Sequence, residues 1–213
     1  MNRLRLLVTA AVLLYSRAED PIWKDAKRLS DYQVAWMSLN KTSSEVYYQV
    51  RSTDLLVGFR NGDPNHPVNT TCWSVQMAEL DSAKEEGRRS YKYAKAQGVY
   101  FADERVSTVS ALNCSIKNAV KYDFSEDGDE IDPVIFTDGT TCDLYSVPRE
   151  KSREGCELWV NDKYKENVPS CCSFIFDLLC ALDGSYNVYD KTQCSEVTKE
   201  WEKINNHKES ISF

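Results

Sequence analysis

The residues in this chain whose placement could do chemistry are carboxylates that share a strand face with aromatic rings. In Gly155-Cys156-Glu157-Leu158-Trp159-Val160 a two-residue alternation puts Glu157 on the face of Trp159, with Cys156 and Leu158 turned the other way. Over residues 100–108 the same alternation groups Tyr100, Ala102, Glu104, Val106 and Thr108, and leaves Asp103, Arg105 and Ser107 to solvent. Asp143 shares its face with Tyr145 and Val147, and in 120–124 Val120, Tyr122 and Phe124 point inward together. An ionised acid on an apolar face is costly unless it meets a cation or a hydrogen-bond donor. Solvated strand ends, or pairing with a lysine, would explain one such acid; three are harder to explain that way. Carboxylates among tyrosines and tryptophans suit a cationic amine: the acids neutralise the charge, and the rings add cation–π attraction and exclude water.

Composition narrows the classes. The 213 residues carry 26 Lys+Arg against 33 Asp+Glu, a formal charge of −7. Nucleic acid and anionic membrane both need a basic footprint, so neither is an expected partner. The first 18 residues read as a secretory signal: Arg3 and Arg5, an apolar core from Leu6 to Tyr15, then the small residues Ser16 and Ala18 before a cleavage site. Residues 19–194 are then expected to form one domain and residues 195–213 a polar, frayed helical tail, in a secreted, extracellular monomer. Eight cysteines in such a chain read as disulfides, and with no CxxC pair and only His66 and His207 as histidines, no metal site is expected. Sequons begin at Asn40, Asn69 and Asn113. No catalytic residues are assigned: neither histidine stands in a nucleophile context, and a carboxylate pair shows no reaction geometry in sequence. The reading is not an enzyme, with no cofactor.

These acids need a scaffold that turns them inward. Residues 22–39 pattern as a short amphipathic helix, with Ser30 and Asp31 as interruptions or caps. Eight strands follow: 45–52, 71–79, 88–96, 99–112, 115–124, 132–137, 141–147 and 155–160. None is separated from the next by a helix long enough for a parallel crossover. The fold class is therefore all-β, an eight-stranded antiparallel barrel, closed so that no edge is exposed and wide enough for one small ligand. Residues 170–182 read as an apolar C-terminal helix packed on the outside.

An ordered series of short segments then resembles one family. It comprises Ala35-Trp36-x-Ser38-Leu39, Val46-Tyr47-Tyr48-x-Val50, Cys72, Glu104-Arg105-Val106, Asn118-Ala119-x-x-Tyr122, Cys142-Asp143-x-x-x-Val147-Pro148, Glu157-Leu158-Trp159, Pro169-x-x-Cys172 and Cys194. Across residues 22–194 the chain resembles the salivary lipocalins of ticks, the histamine-binding proteins, including serotonin- and histamine-binding members. The resemblance implies a lipocalin barrel that sequesters histamine, and in some members serotonin, at the feeding site, in two acidic pockets at opposite ends. One pocket would map to Asp63, Glu104, Tyr122 and Asp132, the other to Ser38, Asp143, Glu157 and Trp159. His66 and Val120 stand where the family pattern has rings, so the second pocket keeps the fuller pattern. Other branches hold fatty acids, leukotrienes or cholesterol, or bind host defence proteins, and these are the alternatives. The resemblance also implies the disulfides Cys72–Cys194, Cys142–Cys172 and Cys156–Cys180, each worth about 2–4 kcal/mol, with Cys114 and Cys171 left over.

Overall fold

The computed structural model describes residues 21–211 apart from 55–56, 61–62, 96–97, 125–127, 149–153 and 182–183. The expected signal segment 1–18 lies outside the described residues. Eight strands close the barrel: β1 (Val46–Ser52), β4 (Thr71–Asp81), β5 (Glu86–Lys95), β6 (Gly98–Val109), β7 (Ala119–Phe124), β8 (Gly128–Thr137), β9 (Cys142–Pro148) and β10 (Glu154–Asn161). Each pairs antiparallel with its neighbour in that order, and β10 returns to β1 through pairs such as Tyr47↔Asn161 and Tyr48↔Val160. The loop after β1 holds a separate hairpin, β2 (Val57–Arg60) with β3 (Asp63–Asn69), and β11 (Tyr186–Asn187) pairs with Arg51 and Ser52 of β1.

The two-residue alternation of the strands sorts the buried side chains into two cores. Tyr47, Val75, Tyr91, Val106, Val120, Tyr122, Val134, Tyr145 and Trp159 fill the lumen. Their neighbours Val46, Tyr48, Cys72, Ile135, Cys142, Leu144, Cys156, Leu158 and Val160 form an outer core. Both faces of β1, β9 and β10 are thus buried, so slipping one of them by a single residue would place the wrong set on each side.

Among the described residues four α-helices complete the fold: α1 (Ala26–Leu29), α2 (Ala35–Leu39), α3 (Ser170–Leu179) and α4 (Ser195–Ile211). The amphipathic helix expected over 22–39 is broken into α1, α2 and two single 3-10 turns, Ile22–Lys24 and Ser30–Tyr32. The break centres on the buried Gln33, whose amide donates to the Trp23 carbonyl at 2.7 Å and to the Ile135 carbonyl of β8 at 3.4 Å, stitching this segment to the wall. Val34 is extended, and α2 then turns Ala35 and Leu39 into the lumen, closing that end of the barrel.

Helix α3 lies outside the wall as expected, tied to β9 by Cys142–Cys172 and to β10 by Cys156–Cys180. The frayed tail expected from residue 195 is instead a docked helix, a correction that comes from β4. Alternate outward residues of β4 hold it: Cys72 by a disulfide to Cys194, Ser74 by a 2.8 Å bond from Trp201 Nε1, and Gln76 by a 3.0 Å bond to Asn205. Lys92 of β5 adds a 2.9 Å bond to the Glu200 carbonyl, with its ammonium over the Trp201 ring. Cys114 and Cys171 are free thiols, the first buried and the second exposed. Among the described residues no helix is long and apolar enough to cross a membrane.

Because Trp201 is buried against both cores' shared wall, Trp201→Ala should lower stability by about 3–5 kcal/mol. Lys199→Ala on the exposed side of the same helix should change it by no more than about 0.5 kcal/mol. Urea unfolding of the two variants makes the comparison; equal effects would mean that α4 is not docked.

Candidate functional site

The lumen has two ends of different character, separated by Arg89. This residue alternates with Tyr91 on β5 and is buried. Its guanidinium donates to Tyr122 Oη at 2.6 Å and to Tyr145 Oη at 2.7 Å, spanning the barrel between β7 and β9. Those hydroxyls face opposite ends of the lumen: Tyr122 influences the Asp132 carboxyl, and Tyr145 lies towards Ser38. Burial raises the Tyr145 hydroxyl to about 12, so both tyrosines remain protonated near neutral pH.

Towards the β2–β3 hairpin, Arg89 floors a cavity of about 280 Å³. Glu104 from β6, Glu130 and Asp132 from β8 and Glu157 from β10 put four carboxylates into its wall, with Trp73, Tyr91 and Trp159 as the rings. Asp132 pairs with Val120 across β7, which gives it the inward slot of that register. Trp159 Nε1 donates to Glu157 Oε2 at 3.1 Å, and the Trp73 ring stacks on Tyr93 at 4.1 Å between centroids. Asp132 is held well above the usual carboxylate range by burial first, then by the charges of Glu157 and Glu130; Arg89 and the Tyr122 hydroxyl pull it back. Burial also raises Glu104, with Arg89 opposing and Glu130 reinforcing. Among the described residues, three buried polar atoms here have no hydrogen-bond partner: Asp132 Oδ1, Trp73 Nε1 and Arg89 Nε.

The closed end is built differently. Asp143 is buried at the start of β9, where Thr137 Oγ1 donates to its Oδ1 at 2.5 Å and Lys41 Nζ lies 3.3 Å from the same oxygen. Burial pushes its carboxyl up, and the Lys41 ammonium is the main influence drawing it down. Ser38 is buried at this end, donating to the Ala35 carbonyl at 2.8 Å.

The site residues expected from sequence are therefore regrouped. Glu104, Tyr122 and Asp132 come together as expected, but Glu157 and Trp159 join them instead of Asp143 and Ser38. Pairing of β10 with β9 explains it, because Glu157 sits opposite Tyr145 and Trp159 opposite Asp143. Glu157 is thus one two-residue step, about 7 Å, further from the closed end than Asp143. Asp63 begins β3, and its side chain, like those of His66 and Asn69, lies outside the described residues. Val120 faces the lumen, and the ring missing there is made up by Trp73 and Tyr91. Trp73, Arg89 and Glu130 were not singled out from sequence, although alternation with Val75, Tyr91 and Asp132 points each of them inward.

A model of the tick histamine-binding protein family matches residues 23–196. The chain belongs to this family. The male-specific histamine-binding salivary protein of Rhipicephalus appendiculatus is 27% identical over 195 residues, covering 89% of this chain and 94% of that protein. The female-specific histamine-binding protein 1 of the same tick is also 27% identical, covering 78% of this chain and 86% of the relative. Among solved structures, H1 crustacyanin from the lobster Homarus americanus superposes with a TM-score of 0.50 at 12% identity, covering 83% and 91% of the two chains. Japanin from R. appendiculatus, solved with cholesterol, gives 0.49 at 15% identity, covering 70% and 95%. The fold is that of the lipocalins, and the family to which the chain belongs is one of ligand-binding proteins rather than enzymes.

The raised Asp132 carboxyl has a consequence for the empty protein. A carboxyl whose pKa is higher folded than unfolded costs stability as pH rises from the unfolded value through the folded one. Asp132→Asn removes that cost and keeps the shape, so its melting temperature should exceed wild type at neutral pH and converge with it in mild acid. Thermal scans across that range check the sign; a variant less stable at neutral pH would mean that Asp132 is not held near its like-charged neighbours.

Proposed function

We propose that the chain is a secreted carrier of protonated biogenic amines, histamine and serotonin, that takes one amine in the cavity at the hairpin end. By lowering free amine at a feeding site, it would restrain the host's inflammatory response. Asn40 and Asn113 lie exposed on its surface as sequons for glycosylation, and it would act as a monomer.

The observation that carries this reading is the partnerless Oδ1 of Asp132 inside a cavity lined, among the described residues, by three further carboxylates and one cation, Arg89. An ammonium set between Asp132, Glu157 and Glu104 would replace lost hydration with charge-assisted hydrogen bonds. Trp73 and Trp159 would flank the ligand's ring. The Nε–H of Arg89 and the Nε1–H of Trp73 would remain for an acceptor at the ligand's far end, such as an imidazole nitrogen or a phenolic oxygen. The volume supports the same choice: about 280 Å³ lies below the usual range for drug-sized ligands. A fatty acid or sterol would need more room, and a lipid carboxylate would meet four further carboxyl groups.

Titration calorimetry with histamine, serotonin and a long-chain fatty acid tests the proposal. Saturable heat from an amine is expected, and heat from the fatty acid alone would overturn it. Glu104→Gln, Asp132→Asn and Glu157→Gln should each weaken amine binding by about 10–100-fold, the worth of one hydrogen bond to a charged group.

Binding should also be linked to protons. Asp132 and Glu104 are raised in the empty cavity, facing Glu130, Glu157, Arg89, Tyr91, Tyr122 and Tyr145. A bound ammonium favours their ionised forms, so binding releases protons and affinity falls as pH drops through the raised range. Serotonin, whose amine stays charged, should bind progressively more weakly from about pH 8 to about pH 5. An affinity flat over that range in folded protein would remove the carboxylates from the binding site.

A further inference from the structure

At the closed end of the barrel the chain supplies a cation of its own. Lys41 stands two residues beyond α2, yet its side chain runs inward: it is 3% exposed, against 4% for that of Asp143. Its Nζ lies 3.3 Å from Asp143 Oδ1, 2.8 Å from the Gly139 carbonyl oxygen and 4.6 Å from the centre of the Tyr47 ring. The surroundings hold these three partners in place. Thr137 donates to Asp143 at 2.5 Å, and Tyr47 Oη donates to the Thr140 carbonyl at 2.7 Å. Gly139 has φ +79, a left-handed conformation, and a side chain there would meet Met37 Cε at 3.2 Å.

A carboxylate, a carbonyl and a ring face around one primary ammonium are the parts of an amine receptor: counter-charge, directed acceptor and cation–π surface. None of the three needs the ammonium to be part of the protein. We infer that the Asp143 site is an amine-binding site whose ligand is the chain's own Lys41, which keeps free amines out of the closed end and limits the barrel to one ligand. A tethered ammonium competes at an effective concentration of millimolar or above, without losing translational freedom on binding. Lys41 is then the residue that sets ligand number. The inference rests on the closed-end geometry alone and stands or falls separately from the amine proposed at the hairpin end.

Lys41→Ala strands a buried carboxylate beside the space its side chain vacated, and a short primary alkylammonium should refill it. Thermal unfolding of Lys41→Ala should therefore begin from a lower melting temperature than wild type. Added propylammonium chloride should recover the loss saturably, half-maximally in the millimolar range, where equal sodium chloride does not. Wild type should show no such gain, and Lys41→Ala/Asp143→Asn should lose it. Folded Lys41→Ala that propylammonium raises no more than sodium chloride does would overturn the inference. Should Lys41→Ala not fold alone, refolding it with and without propylammonium reads the same site: recovery with the amine supports the inference, and none overturns it. Histamine stoichiometry in wild type gives an independent check, because a second site that Asp143→Asn removes would show that Lys41 does not occupy it.

Discussion

Carboxylates taken out of water must find a cation, a hydrogen-bond donor or a proton, and the interior of this barrel is organised around that requirement. Glu104, Glu130, Asp132, Asp143 and Glu157 face inward, and the inward cations among the described residues are Arg89 and Lys41. Lys41 answers Asp143. Arg89 is shared between two tyrosine hydroxyls and lies near Glu104 and Asp132 without a direct ion pair to either. Burial raises the protonation range of Asp132 and Glu104, and the like charges of Glu157 and Glu130 add to it at Asp132. Burying these acids costs stability, and under the proposed function an entering ammonium would offset that cost.

Like charges stay together only if the strands carrying them cannot turn away. The disulfides bear on that directly: Cys72, Cys142 and Cys156 each precede a lumen residue, Trp73, Asp143 and Glu157 respectively. Each cross-link pins the outer face of a strand at the point where its inner face presents a site residue. Helices α3 and α4 cover that outer face with Phe176, Val197 and Trp201. Rotating β10 to release Glu157 to water would expose Cys156 and Leu158 and break into the outer core. The barrel's stability thus holds the site's geometry.

Much of this was legible in the residues. Strand alternation identified Glu104, Tyr122, Asp143, Glu157 and Trp159 as inward-facing, and all five are. Six of the eight strands were read within three residues of their observed limits, those read from 115 and 132 begin at 119 and 128, and the resemblance to tick lipocalins implied the three disulfides that are present. The C-terminal segment misled because its mean character is polar, although a stripe through Cys194, Val197 and Trp201 is enough to dock it. The 22–39 segment misled in the opposite sense: its apolar spacing is helical, but Gln33 is drawn away by carbonyls of Trp23 and Ile135, the latter 102 residues distant.

The sequence by itself determined which face of each strand a side chain occupies, because a two-residue period is local and survives any arrangement of the strands. It also determined the charge imbalance and the sulfur pairing capacity. Only the tertiary structure decided the height of each residue along the barrel axis. That height depends on inter-strand register, which sends Glu157 to the cavity of Glu104 and Asp132 and leaves Asp143 below. It decided, too, that Lys41 and Asp143 meet across 102 residues of chain and that Arg89 divides the lumen. The physical reason is that a charge's partner is chosen by distance in a closed barrel, and closure brings together loops and strands whose separation along the chain carries no trace of it.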